Sequence, residues 1–410
     1  MYQEIPYVAM RPEDRIINSL ILKGIQMSEP SYQIGITGSY GGMNLGDEAI
    51  LETIIHQLKE SLPSVQITVF TKNCEDTLAR HPLVRHAVAV QDLMRQESQS
   101  EIENLDLLIF GGGGILYDRD VKLYLREFEI AHEIGVPVVV YAIGTGPLND
   151  SENRKLVVKN LKHAAAITVR DRQAMKQLEE VGVKQKIILT ADPALLLKPS
   201  PVPPEEMEKE GLDQNRRIIG FSVREPGPAA PDIDTEHYHT LLADTADFMI
   251  SRLDAHVIFI PLEQKVHDPQ HSHGVIARMR HANRATVLKG KYTSSQLLSL
   301  IGNFEFCVGM RLHFLIFSAI QGVPFAGLPY AAKVEGFLEE LKMPIPPLKE
   351  ITTGDLIAYI DRAWDMRREL RKKISNGISE LKQRARQTNQ IVLDVLREHS
   401  RKEAVKNAPA

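Results

Sequence analysis

Short apolar runs alternate with helix-length amphipathic segments along most of this chain, and that alternation restricts the fold more than any other feature. The first half reads as strand YQIGITGSY, helix DEAILETIIHQLKESL, strand QITVFT, strand LDLLIFGGGG, helix YLREFEIAHEIG, strands VPVVVYAIGTGPL and AAAITVRDR, helix QAMKQLEEVGV and a closing IILTADPALLL. Strand and helix in alternation imply a parallel sheet with helices on both faces. The segment KPSPVPPEEMEKEG, residues 198–211, breaks the pattern with four prolines and a charge cluster. Proline continues neither ladder, so this is a linker. The alternation restarts at RIIGFSVREP and runs to PFAGLPY. The expected fold is α/β, with two Rossmann-like domains whose parallel sheets face a cleft. The expected divisions are 31–197, a linker at 198–215, a second domain at 216–352, and a helical segment at 353–410.

A length of 410 residues suits two domains, and 43% hydrophobic content can build both cores. The net charge of −4 gives no reason to expect nucleic acid as a partner. Cys74 and Cys307 lie far apart, flank no CxxC, and fit a reducing cytoplasm. No apolar run reaches ~18 residues, so a spanning helix is not expected. The start, MYQEIPYVAMRPEDR, lacks the pattern of a signal peptide, and RIINSLILKGI could form a short amphipathic helix. Residues 361–410 carry 13 Lys/Arg against 7 Asp/Glu. That basic stretch reads as the solvated face of a closing helix or as a peripheral contact to an anionic membrane surface. Asn376–Gly377 is expected to break or kink it. No pattern specifies an oligomeric state.

In open parallel sheets, ligands bind beyond the carboxyl ends of the strands. The first half offers glycine there: TGSYGGMNLGDE, GGGG at 111–114, and GTGP at 144–147. The first of these loops contains neither GK[ST] nor GxGxxG in register. Asp47 could cap the following helix, which would occupy the amides a phosphate needs. Asn44 and Asp47 therefore read as structural or as contacts to a neutral, hydroxyl-bearing ligand. Gly112 and Gly113 mark either a close ligand approach or a tight turn into a helix. Arg170 stands at a strand end in TVRDR, with Asp171 at a cap and Arg172 facing solvent.

The second half offers side chains instead: Arg224, His267 with Asp268, Arg311, His313 and Lys333. Arginine presents a planar fork for carboxylate or phosphate, and histidine titrates near neutrality. Cations from several strand ends imply an anion with more than one charged group and a proton carrier beside it. The plainer alternative makes His313 a satisfied core histidine and Arg311 an ion pair between domains. HDPQHSH (267–273) has no second ligand cluster and so gives no metal site.

The blocks GSYGGMNLGDEAIL, DLLIFGGGGILYD, ITVRDRQAMKQLEEVGV, TADPALLL and VGMRLHFLIFSAIQGVPFAGLPYAAKVEGFLEEL together resemble the polysaccharide pyruvyl transferase family, in order, over about residues 34–340. The resemblance implies a fold like the GT-B glycosyltransferases. It also implies transfer of pyruvate from phosphoenolpyruvate (PEP) to a sugar, forming a ketal and releasing phosphate, with PEP as co-substrate and no cofactor. The acceptor would be a glycan or lipid-linked sugar of a cell-wall or exopolysaccharide pathway, at the cytoplasmic membrane face. The family's RLH motif falls on Arg311, Leu312 and His313, and its vRD motif on Arg170 and Asp171. On this reading His313 moves the proton, and Arg311 and Arg170 hold PEP with Arg224 and Lys333. His267 contacts phosphate or sugar hydroxyls, and Asn44, Asp47, Gly112 and Gly113 serve the acceptor side. Where members often read Y-D-P-K, this chain reads YAAK at 330–333. Two alternatives remain open: a GT-B-type glycosyltransferase that uses a nucleotide sugar, with Glu335 or Glu339 on the ribose, and a binding protein without catalysis.

Overall fold

Apolar strand runs buried on both faces build the first sheet from β1 (Gln33–Thr37), β2 (Gln66–Thr71), β3 (His86–Ala89), β4 (Leu107–Leu116), β5 (Val138–Thr145), β6 (Ala166–Val169) and β7 (Ile187–Leu189). The order is β3-β2-β1-β4-β5-β6-β7, and every neighbouring pair is parallel. The second sheet holds β8 (Arg217–Ser222), β9 (Ala255–Phe259), β10 (Ala285–Val287), β11 (Phe306–Gly309) and β12 (Phe325–Gly327), in the order β10-β9-β8-β11-β12, again parallel throughout. This computed structural model describes residues 31–90, 94–212, 216–225, 234–264, 267–346 and 351–406. The RIINSLILKGI segment lies outside them.

The helix Leu45–Ser61 shows how the two units join. Asn44 caps it by accepting a hydrogen bond from Gly46 N at 3.0 Å. Leu45, Ala49, Ile50, Ile54 and Leu58 recur at helical spacing and are fully buried. Each such side chain contributes about 1.5–3 kcal/mol when removed from water. One apolar cluster runs from this helix into Phe314, Leu315 and Phe317 of the second unit. The backbone adds a clasp: Leu45 N donates to Leu262 O at 2.9 Å, and Asn44 bridges Glu263. Ser294 Oγ donates to Leu45 O at 2.7 Å.

Four expectations change. The four glycines do not end a strand or turn into a helix: β4 runs through them, and Gly113 and Gly114 pair with Ile143 and Gly144. Gly111, Gly112 and Gly113 take φ of +116°, +87° and +84°, a backbone that only glycine adopts without strain. HDPQHSH is the start of the helix His267–Ile276 rather than a loop. The linker contains a short helix, Pro204–Lys209, begun by a proline where no amide is needed. Gly377 breaks nothing: the helix Arg367–Lys406 passes through it unbroken. A methyl group there would collide with Leu341 at 2.7 Å, so the glycine serves close packing.

That 40-residue helix braces both units. Its buried stripe includes Leu370, Ile374, Leu381, Ala385 and Val392. Arg384 donates to Thr190 O and pairs with Glu340 at 2.8 Å, and Asn389 donates to Ser61 Oγ. No helix among the described residues is long and apolar enough to cross a membrane.

Candidate active site

Asp192 is the hinge of the site. It follows β7 and caps the turn Pro193–Leu196 by accepting from Ala194 N at 3.0 Å. Its Oδ2 accepts from Arg170 Nη1 at 3.0 Å and lies 3.5 Å from His313 Nε2. Arg170 follows β6 in the first unit, and His313 lies in the first turn of the helix Leu312–Ile320 in the second. One carboxylate therefore couples the arginine of the vRD block to the histidine of the RLH block. Burial alone would raise the Asp192 carboxyl, but the attraction of His313 and Arg170 overrides it and holds it at about 2. Sequence reasoning missed Asp192. Its only local signal is an aspartate before proline at a strand end.

His313 packs against the first unit so closely that a methyl group on Gly46 would overlap its ring. Its Nε2 is buried and makes no hydrogen bond among the described residues. Asp192 is the carboxylate nearest Nε2, at 3.5 Å, and Nδ1 faces Gly46.

Asp47 faces the same space from the first unit. Its Oδ1 lies 3.2 Å from the point where a Cβ would stand on Gly113. The expected cap role belongs to Asn44 instead. Burial raises the Asp47 carboxyl; His313, Lys333 and Arg170 pull it down without cancelling that effect, and Glu48 pushes it up. Asp47 thus lies within the electrostatic reach of His313, Lys333 and Arg170. Arg170 also lies against the glycines: its Nη2 is 3.7 Å from a Cβ position on Gly114, and a side chain on Gly144 would displace its guanidinium.

A second cluster of cations surrounds Tyr330. Arg224 Nη1 donates to the Tyr330 hydroxyl at 2.7 Å, and its guanidinium stacks 4.4 Å from the ring centre. Lys333 Nζ lies 5.9 Å from the same centre. Burial would raise the phenol, yet Lys333, Arg224 and Arg311 together bring it down to about 8. The same positive field that pulls the phenol toward ionisation would attract a bound anion.

Arg311 departs from its expected role. The sequence assigns its fork to a ligand, but Nε and Nη2 are taken by Asp268, and Nη2 also reaches Glu263 at 3.1 Å. The reason is physical: Arg311 is 8% exposed and needs a permanent counter-charge. The pair lies within the second unit rather than between the two. His267 lies at the edge of this cluster, beside the residue that follows Arg224. It is half exposed on the first turn of its helix, with Nδ1 3.5 Å from Glu225. Asp171 caps the helix Arg172–Val181 as expected, and Arg172 is exposed. Glu335 and Glu339 are exposed on the helix Ala332–Glu340. A separate concavity of about 680 Å³, walled by Glu305, Arg367, Arg368, Arg371, Lys372 and Ser375, opens at the amino end of β11, away from this cluster. No group of three potential metal ligands occurs among the described residues.

Comparison with known proteins gives the site its context. The chain is 20% identical over 320 residues to the amylovoran biosynthesis protein AmsJ of Erwinia amylovora, covering 74% of this chain and 75% of that one. Its fold resembles a UDP-GlcNAc 2-epimerase from Neisseria meningitidis, with TM-score 0.60, 11% identity, and coverage of 89% of this chain and 99% of that one. It also resembles a glycosyltransferase from Rickettsia africae, with TM-score 0.56, 12% identity, and coverage of 92% and 100%. These neighbours show the two-unit, GT-B-like architecture. The profile described as polysaccharide pyruvyl transferase matches residues 44–331, well over half of the chain, and spans Asp47, Arg170, Asp192 and His313. The chain belongs to the polysaccharide pyruvyl transferase family.

Proposed function

We propose that this protein transfers pyruvate from PEP to two hydroxyls of a sugar in a cell-wall or exopolysaccharide, or its lipid-linked precursor, and releases phosphate. The observation that carries the reading is that Arg170 of the first unit and His313 of the second share Asp192, while Arg224 and Lys333 gather at Tyr330. PEP bears a carboxylate and a phosphate, and such cations match both. His313 carries the proton to the PEP methylene, while Asp192 orients the ring. Arg170, Lys333 and Arg224 hold the donor, and Tyr330 positions Arg224. Arg311 acts at one remove, by adding positive potential and fixing the loop around Asp268. Asn44 acts structurally, as the helix cap, and Gly112 and Gly113 leave room for the acceptor. The residues call for no cofactor.

The exposed residues Arg368, Arg371, Lys372 and Lys373 are suited to anionic lipid headgroups, which would keep the enzyme at the cytoplasmic membrane face. The rival nucleotide-sugar reading needs a carboxylate for the ribose, and Glu335 and Glu339 are the candidates. Thermal-shift titration separates the readings. PEP raises the melting temperature in a saturable way, and UDP-sugars do not. Stabilisation by UDP-sugars alone would replace this proposal with the rival.

A further inference from the structure

Pyruvyl transfer needs more than one proton carrier. The first acceptor hydroxyl forms a bond to C2 of PEP and loses its proton, while C3 gains one and becomes a methyl group. The C2–O bond to phosphate then breaks with its electron pair on the leaving oxygen. The second hydroxyl bonds to C2 and loses its proton in turn. Two hydroxyl protons leave; one equivalent ends on C3 and one on phosphate. A single histidine would have to serve every transfer in sequence.

We infer that Asp47 is the second proton carrier: its carboxylate takes the proton of the first hydroxyl and passes it to the departing phosphate. His313 gives its proton to C3 and recovers one from the second hydroxyl, so both groups end as they began. This assignment rests on the pyruvyl-transfer reading and deepens it.

The contrast with Glu48 carries the argument. Glu48 is 1% exposed and fully committed: it accepts from Gly41 N at 2.9 Å, and its other oxygen lies 3.0 Å from His81 Nε2. Asp47, one residue away, makes no hydrogen bond to any described residue, and Asn44 already caps the helix. Asp47 is partly exposed and holds no structural bond, so its carboxylate stays open to a ligand. It faces Gly113, where the absent side chain leaves space for a hydroxyl-bearing ring. The groups around it are His313, Lys333, Arg170 and Glu48. Burial leaves the carboxyl raised against the pull of the three cations, which makes it a stronger base than an exposed aspartate.

The test uses the full chain with PEP and an acceptor glycoside. Asp47→Asn keeps the shape and removes the base. Turnover is expected to fall about 10²–10⁴-fold, while stabilisation by PEP is retained, since a neutral amide beside the phosphate repels the donor no more than the carboxylate does. The residual activity is expected to lose the acidic limb of its pH profile, because wild type needs Asp47 ionised. Asp47→Glu restores part of the rate and the limb. Wild-type turnover in Asp47→Asn, an unchanged acidic limb, or loss of PEP stabilisation along with turnover would each overturn the assignment. If wild type itself forms no ketal with any acceptor, the pyruvyl-transfer reading fails and takes this one with it. An active wild type with an equally active Asp47→Asn sinks this inference alone.

Discussion

His313→Ala is expected to lower turnover about 10²–10⁴-fold, the usual cost of removing a general acid–base group, while the protein stays folded. The second half of that result follows from the structure. His313 meets Asp192 only at 3.5 Å, and Asp192 keeps Arg170 at 3.0 Å when the imidazole is gone. No buried charge is left without a partner. The apolar cluster beneath depends on Phe314, Leu315 and Phe317, which remain. Steady-state kinetics beside a melting curve read both parts. Wild-type turnover in this variant would remove His313 from the mechanism, and global unfolding would make it a structural histidine.

Asp268→Ala has the opposite signature. Asp268 is 0% exposed, pairs with Arg311, and accepts from Leu262 N at 3.0 Å and Glu263 N at 3.1 Å. Removing it leaves a buried guanidinium short of its main counter-charge. Breaking such a pair costs about 3–5 kcal/mol. The damage also reaches across the molecule, because Leu262 O accepts from Leu45 N and Glu263 bridges Asn44. Denaturant titration is expected to show a lower midpoint, and activity falls with the clasp that sets Asp47 opposite His313. A midpoint unchanged from wild type would show that Arg311 needs no carboxylate, and would return its fork to the ligand.

The sheets were legible where strands are long, apolar and buried on both faces. QITVFT corresponds residue for residue to β2. β3 was missed because it is a four-residue edge strand, HAVA, with only one fully buried position. Short, half-exposed strands form by pairing with a neighbour, and local sequence does not record that. The cap of the first helix was misplaced for a related reason: asparagine and aspartate are both good caps, and only the backbone decides between Asn44 and Asp47.

In the site, residue types at strand ends pointed to Arg170, His313, Arg224 and Lys333. Their partners were not legible, because Asp192, Asp268 and Tyr330 lie far along the chain from the groups they hold. The YAAK departure now has a place. Ala331 is the N-cap of the helix Ala332–Glu340 and has no side chain to accept from its amides. The aspartate common at that position in the family would stand where a cap stands. Its absence leaves a helix start beside Lys333 without a side-chain cap.

The central claim is that cations and proton carriers from two units meet around one doubly anionic donor. Its most direct measurement is mass analysis of sugar glycosides and lipid-linked saccharides incubated with PEP, with released phosphate assayed in parallel. The account predicts a pyruvyl ketal on the acceptor and one phosphate released per ketal formed. Glycosyl transfer from a nucleotide sugar, with PEP left intact under all conditions, would contradict it.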